Sequence, residues 1–539
     1  MPFATRVSPG SATPIAGAPD RRTTPLPPGF GLSADPATTT LDGGVVMMGG
    51  SPLRLFRLSR RAQDLTAAWN AGAVVGPRRP DQLLARRLVS SGVFLPRPGP
   101  GSFTDNDVTV VVPVRDRPEQ LRRLLTGLDG LSCIVADDAS ADASLTEEIA
   151  RKGGASFISL SVNQGPSSAR NIGLAAATTP LVAFIDSDCM PSEGWLSPLL
   201  AYFDDPLVAA VAPRIVPAPS ALSTAVGRYQ GARSSLDMGR AEGLVRPSSR
   251  IPYVPSATIV VRREVAGERL FDPDLRGGED VDLVWRLNSA GWDVRYVPRC
   301  SVVHEGPTAL GPWLSRRAFY GTTAGPLARR HPHALAPLTT SAWPAAVWGL
   351  TLARRPLLAL ITLAASVLIL ARRLRGLVER PGTVAATIAG GGTAKSSVPA
   401  VKGLTRAWAP AFVLGLLVPR TRRAAALALL TPAIHEWWTT SADLDPFRYA
   451  VLHIVDDVAY GTGVWAGSLR ARTMRPLLPR VTLRSRVWSS RSLHSQLGDH
   501  GGDEAPGPGQ RPPPWAVARW WHRSTTGPGG PAVSMRGWT

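Results

Sequence analysis

The chain has 539 residues, a formal net charge of +20 and three cysteines, and its pI is near 11.1. This length calls for about two to four domains, and the charge favours anionic partners such as nucleic acid, an acidic membrane surface or phosphorylated ligands. Nucleic acid is the weaker choice, because no nucleic-acid-binding motif occurs and aromatics are not interleaved with the basic residues. Cys133, Cys189 and Cys300 lack ligand spacing, which points to a reducing, cytosolic compartment without disulfides.

Residues 1–40 are rich in Pro, Thr, Gly and Ala and are expected to be disordered. The first thirty lack a continuous apolar core, so no signal peptide is expected. From residue 41 the pattern firms. Residues 43–50 read as a strand between glycine turns, residues 59–69 as a helix, Leu83, Leu84 and Leu88 as a second helix, and residues 93–95 as another strand. Together they predict a small winged-helix-like unit over 41–96. It is either a docking module for a peptide or partner or a packing appendage. Residues 96–101 (PRPGPG) are a linker by composition.

An α/β pattern follows. Residues 108–114 (VTVVVPV) are β-branched and apolar, as in a strand buried on both faces, with Pro113 expected to end its ladder. Leu121, Leu124, Leu125 and Leu128 fall on one helix face. Residues 133–136 are the next strand and run into Asp137-Asp138, residues 145–152 a helix, and 157–160 a third strand. A glycine-containing loop at 163–171 enters a helix, and 181–185 (LVAFI) is a buried strand that stops at Asp186-Ser187-Asp188. Strands alternating with helices predict a doubly wound parallel sheet, with ligands at the carboxyl ends of the strands. Two carboxylates at the end of a buried strand are expensive without a positive partner. A divalent cation with a phosphate on its far side would supply one, and a solvated turn is the plain alternative. Downstream, Glu279-Asp280 opens a helix on which Asp280, Leu283, Val284 and Leu287 share a face, and residues 294–297 and then 302–306 (VVHEG) follow. His304 is either a metal ligand or structural. Asp282 and Arg286 have the spacing of an ordinary helix salt bridge.

These motifs, in this order, resemble family 2 glycosyltransferases with a GT-A fold over residues 105–330: Val110 to Arg115, Asp137 to Ser140, Ala169-Arg170-Asn171, the Asp186-Ser187-Asp188 (DXD) triplet and Glu279-Asp280. The GT-A fold implies a doubly wound mixed sheet. More narrowly, residues 277–287 (GGEDVDLVWRL), His304-Glu305-Gly306, residues 328–332 (ARRHP) and 49–55 (GGSPLRL) resemble the glycosyltransferases of the mycofactocin system of actinobacteria. That resemblance implies an inverting, metal-dependent hexosyltransferase. It would move glucose from UDP-glucose onto the small peptide-derived redox cofactor (pre)mycofactocin and build a β-1,4-linked oligoglucoside. It also implies a divalent metal ion (Mn²⁺ or Mg²⁺) on Asp186, Asp188 and His304, and donor binding by Pro113, Arg115, Asp138, Arg170 and Asp186. Asp280 would be the catalytic base, with Glu279 as its fallback. Arg170 faces the diphosphate, or is a surface arginine.

Beyond 340 the composition shifts. Apolar runs at 342–353 and 356–371 are split by Arg354-Arg355, and 409–419 and 424–434 form a second pair. This hydrophobic helical region, 340–470, would bring the protein to the cytoplasmic side of an anionic membrane, lying on it or crossing through short segments. It is otherwise a buried helical subdomain capping the site. Residues 450–464 fit an amphipathic helix, and 484–539 a disordered basic tail. The alternative activity is a membrane-associated family 2 transferase acting on a polyprenyl phosphate or cell-envelope glycan. A binding scaffold that lost catalysis is disfavoured, because every acidic position needed is present.

Overall fold

A computed structural model describes residues 15–482 except 129, 248 and 268. The expected basic tail lies outside the described residues. Strands β1 (Gly31–Ala34), β2 (Thr39–Leu41), β3 (Val46–Gly49) and β4 (Arg54–Arg57) precede helices α1 (Arg60–Asn70) and α2 (Arg79–Ser91) and strand β5 (Phe94–Arg97). β2, β3 and β4 form an antiparallel sheet, and β1 pairs with β5. This corrects the expectation of disorder for residues 15–40. Leu26, Phe30 and Leu32 are buried in one cluster with Trp69, Leu88 and Phe94. Further upstream, Trp292 Nε1 donates to Ala16 O at 2.6 Å. A few apolar residues scattered among prolines are enough when they complete someone else's core.

In the next part β6 (Val108–Val114), α3 (Pro118–Thr126), β7 (Ser132–Asp137), α4 (Ala143–Lys152), β8 (Ser156–Ser159), α5 (Pro166–Ala176) and β9 (Leu181–Ile185) alternate as the sequence predicts. β6 pairs in parallel with β7 and β9, and β7 with β8. Pro113 ends the ladder on one side only: pairing with β9 stops at Val111, while pairing with β7 runs to Val114. Val108, Val110 and Val112 enter the apolar cluster on one face, and Val111 enters the other. A valine run therefore serves two cores through the period-2 alternation of a strand. α5 lies close over β6 because of Gly173, where a Cβ would sit 2.3 Å from Val111 Cγ1.

Strand β10 (Cys189–Pro191), α6 (Ser197–Leu200), β11 (Val208–Pro217), α7 (Ala225–Ala232), β12 (Gly243–Leu244), β13 (Thr258–Arg262), α8 (Glu279–Ser289) and β14 (Asp293–His304) follow. The sheet order is β10-β14-β11-β13-β9-β6-β7-β8, with β12 on β14. β13 runs antiparallel to both neighbours, so the wholly parallel sheet gives way to the doubly wound mixed sheet of the GT-A fold. Residues 293–304 form one strand rather than two segments, with a register shift opposite Pro213 and Arg214. His304 is thereby the last residue of a sheet strand and pairs with Cys189.

Helices α9 (Leu310–Thr322) and α10 (Ala324–Arg330) lead through β15 (Thr339–Ser341) into α11 (Ala342–Leu352), α12 (Pro356–Leu374), α13 (Pro381–Ala386), α14 (Gly392–Leu416), α15 (Arg422–Thr440), α16 (Pro446–Arg470) and β16 (Arg480–Thr482). Arg354, at φ 56°, turns the chain between α11 and α12. α16 packs on α9 and α10 through glycines: a Cβ at Gly463 would lie 2.0 Å from Ala318 O, and one at Gly467 2.2 Å from Thr322 O. Gly321 and Gly325 meet α16 as closely from the other side. Small residues four apart let helix backbones approach in this way. Buried charge seals the same seam. Asp456 on α16 accepts from Arg317, from Arg233 Nη1 at 3.0 Å and from Tyr229 Oη at 3.2 Å, and Asp457 accepts from Arg233 at 2.9 Å. Gly463→Leu should therefore lower stability by about 1–3 kcal/mol through overpacking. It should also detach α16 from α9, read as a lower denaturation midpoint together with faster amide exchange along α16.

Candidate functional site

A groove of about 860 Å³ opens at the carboxyl edge of β6, β7 and β9. The loops that leave these strands brace one another. Asp138 accepts from the backbone N–H groups of Gln164 (2.7 Å) and Gly165 (2.9 Å). Asp116, in the left-handed region at φ 54°, donates its N–H to Ser140 Oγ at 2.9 Å and accepts from Ala141 N at 2.7 Å. Pro113, Arg115, Asp138, Arg170, Asp186, Asp188, Glu279, Asp280 and His304 all line the groove. The candidate catalytic, donor-binding and metal residues are therefore brought to one place.

Their roles divide by partner. Arg170, buried on α5, donates to Asp186 Oδ1 at 2.6 Å and to Glu279 Oε1 at 3.0 Å. It also lies 5.2 Å over the Phe271 ring. Arg170 is therefore not a surface arginine. It is committed to two carboxylates, and it occupies the side chain of Glu279, the fallback base. Burial raises the Asp186 carboxyl above its ordinary range against the pull of Arg170, and the charges of Asp188 and Glu279 raise it further. Asp188 is held by the sheet register. Its Oδ2 accepts from Arg117, and its Oδ1 lies 3.7 Å from His304 Nε2. Burial lowers the His304 pKa, which favours the neutral imidazole that a metal requires.

Among the described residues no three His, Cys, Asp or Glu side chains gather as metal ligands, because Asp186 is turned to Arg170. The donors that do converge are Asp188 and His304. A carboxylate and a neutral imidazole at that separation suit a divalent cation whose remaining positions are filled by phosphate oxygens and water.

Asp280 differs from its neighbours. It opens α8 behind Gly278, whose φ of +75° only glycine takes freely. It accepts from Val281 N at 2.7 Å. Among the described residues it has no ion-pair partner. Burial, then the adjacent Glu279 charge, pushes its carboxyl up to about 7. Asp282 behaves as its spacing predicts, pairing with Arg286 at 2.6 Å, and it also meets His331 Nε2 at 2.8 Å.

Several lining residues escaped the sequence reading: Arg117, Tyr253, Arg316 and Tyr320, and from the C-terminal helices Arg406 and Tyr460. Arg406 stacks 4.0 Å over the Tyr460 ring. The C-terminal region thus closes part of the groove, as the capping alternative holds. Of its helices, only α12 is long and apolar enough to cross a membrane among the described residues, and 17% of its apolar window is buried. Several spanning segments are therefore not found there.

The chain matches the model for glycosyl transferase family 2 over residues 109–270. Among solved structures it is similar to the mannosyltransferase PcManGT from Pyrobaculum calidifontis in complex with GDP-Man and Mn2+, at 19% identity and a TM-score of 0.34 over 64% of this chain and 90% of that one. It is also similar to S. aureus TarS, at 18% identity and a TM-score of 0.30 over 40% and 39%. A pre-mycofactocin glycosyltransferase of Mycobacterium tuberculosis (strain ATCC 25618 / H37Rv) is 39% identical over 473 residues, 85% of this chain and 99% of the relative. With its GT-A sheet, its braced carboxylate groove and likeness along nearly the whole of that relative, the chain belongs to the pre-mycofactocin glycosyltransferases of family 2.

Proposed function

We propose that the protein transfers glucose from UDP-glucose onto the peptide-derived redox cofactor pre-mycofactocin, with inversion, and extends the product into a β-1,4-linked oligoglucoside. The observation that carries the site assignment is the contrast between Asp280 and its neighbours. Five carboxylates line one groove: Asp138 is held by two backbone N–H groups, Asp186, Asp188 and Glu279 have arginine partners, and Asp280 has no ion pair. A base for an acceptor hydroxyl must be ionised near neutral pH yet basic enough to take a proton. A carboxyl held at about 7 meets that condition.

The donor binds along the strand ends. Pro113, Arg115 and Asp138 face the uracil and ribose, and Asp138 keeps the loop at 163–165 in shape through its backbone hydrogen bonds. Arg117 and Arg316 face the diphosphate in place of Arg170. Arg316 sits near enough to His304 for its charge to oppose protonation there. A divalent ion on Asp188 and His304 would neutralise charge developing on the leaving UDP. The acceptor lies between Asp280 and the stacked Arg406 and Tyr460.

A membrane-associated site of action rests on a second observation. Leu357, Leu360, Ile361 and Leu368 of α12 are each more than half exposed. Arg354 and Arg355 mark one end of that helix and Arg372 and Arg373 the other. Burying each such side chain stabilises by about 1.5–3 kcal/mol, and arginines at the rim suit an anionic cytoplasmic leaflet. The same surface is what an acceptor carried on a polyprenyl phosphate would need, so acceptor chemistry decides between the two readings.

Purified protein given UDP-glucose, Mn²⁺ or Mg²⁺, and pre-mycofactocin should yield products displaced by successive hexose masses. Chelator should abolish them, and Asp188→Ala should slow turnover by about a hundredfold or more. Modification of a polyprenyl phosphate alone would favour the second reading.

With Asp280 as base, the rate should rise with pH through about 7 and then level. Asp280→Asn should lose about 10²–10⁴-fold and the pH step with it. Stability gives an independent check. A carboxyl whose folded pKa is raised is most favourable while protonated, so its contribution fades as pH rises through the folded value. Asp280→Asn should therefore match the wild type in melting temperature near pH 4 and exceed it at pH 8. Equal melting curves at both would remove the basis for Asp280.

Co-sedimentation tests the membrane surface. The protein should bind vesicles containing anionic lipid. Combined Leu357→Ser, Leu360→Ser and Ile361→Ser should release it without loss of turnover on the soluble acceptor.

A further inference from the structure

A second cavity, of about 270 Å³, lies between the N-terminal unit and the sheet, where the end of α2 and the turn after β3 meet β12 and β14. It shares no lining residue with the catalytic groove. Val89, Phe94 and Ile251 give it an apolar wall, and its charged lining is Arg246, Arg250, Arg295 and Asp35.

Arg295 is the unusual member. It lies on β14 and is only 1% exposed, yet its Nε and one terminal nitrogen are buried without a hydrogen-bond partner. An unpaired buried guanidinium is among the costliest groups a fold can carry. The nearby carboxylates are engaged with other arginines, although Asp293 Oδ2 is buried without a hydrogen-bond partner. Asp205 holds Arg86 through two hydrogen bonds of 2.6 and 2.7 Å. Asp293 Oδ1 holds Arg21 at 2.8 Å and Arg246 at 3.1 Å. Asp35 holds Arg250 at 3.1 Å. Asp293 is close enough to feel the Arg295 charge but makes no hydrogen bond to it. Five arginines (21, 86, 246, 250 and 295) face three carboxylates (35, 205 and 293) around this junction, an excess of two positive charges.

We propose that Arg295, with Arg250 at the mouth, forms a binding site for a small ligand that carries a phosphate or carboxylate on an apolar body. The anion would receive the unused donors of Arg295 in fork geometry, and the apolar part would pack on Phe94 and Ile251. This site lies outside the transfer reaction. Its ligand would tie the N-terminal unit to the sheet, because residues of both parts line it.

The test is thermal melting of the full chain in sodium phosphate and, separately, in sodium benzoate, against sodium chloride at matched ionic strength. Because a ligand of the folded state raises stability with its saturation, one of the two anions should raise the melting temperature saturably. Phosphate would indicate a phosphoryl ligand and benzoate a carboxylate. Arg295→Met and Arg250→Met should each weaken that midpoint at least tenfold, and Arg117→Met should leave it unchanged. Arg295→Met should melt no lower than the wild type in chloride, since it removes an unpaired buried charge. Should it fail to fold, Arg250→Met carries the comparison. No saturable rise, an equal rise in all variants, or a rise lost in Arg117→Met would each overturn the proposal, the last by placing the anion in the catalytic groove.

Discussion

The site depends on how one buried guanidinium is shared. Asp186, Asp188, Glu279 and Asp280 converge at the edge of a sheet whose central strands are buried and almost wholly apolar. Such a concentration of carboxylates away from water is unstable without compensating charge. Arg170 supplies it to two of them at once, and packing on Phe271 fixes its own position. Because Arg170 takes Asp186 and Glu279, and Arg117 takes one oxygen of Asp188, the fourth carboxylate is left to titrate near neutrality. The acid–base property of Asp280 is in this sense a remainder, fixed by where the arginines are already engaged. Exchanging an arginine's partner would alter the titration of Asp280 without changing Asp280 itself.

The second dependency is geometric. Arg406 and Tyr460 reach the groove only because α16 lies almost in backbone contact with α9 and α10. Glycines alone would allow that approach without favouring it. The Asp456 and Asp457 cluster, bound by Arg233 and Arg317, supplies the direction. These arginines come from the segments after α7 and within α9, so the C-terminal helix is keyed to the catalytic part by charge as well as by shape. A helix that looks amphipathic in isolation is a wall of the site.

Much of this was legible in the sequence wherever local periodicity decides structure. The valine run of β6, the leucine face of α3 and the strand that ends at Asp186 fell where their patterns place them. Candidate residues were found because strand ends converge in this architecture. What stayed hidden was pairing across distance. Arg170 meets partners 16 and 109 positions away, so nothing local distinguishes it from an arginine that faces phosphate. Residues 15–40 looked disordered because their few apolar side chains are useful only against distant elements, Ile15 and Ala18 against the sheet's core and Leu26, Phe30 and Leu32 against α1, α2 and β5. Pro298 and Arg299 made β14 look like two pieces, although the ladder absorbs them as a register shift. The glycines at 321, 325, 463 and 467 show the right spacing in the sequence, but spacing does not say which helix meets which.

The net charge of +20 is also better understood by location than by sum. Part of it is buried and spoken for, as at Arg170, Arg86 and Arg317, where low dielectric makes each pair strong and insensitive to salt. Another part lines the groove, at Arg115, Arg117, Arg316 and Arg406. A third part sits at helix ends beside exposed leucines, at Arg354, Arg355, Arg372 and Arg373. Only the last two are open to partners, and screening weakens them unequally. The exposed arginines lose long-range attraction within about 8 Å at physiological ionic strength. Those in the groove act at contact distance between low-dielectric walls. Salt should therefore weaken contacts at the exposed helix ends more than contacts in the groove, although arginine supplies both.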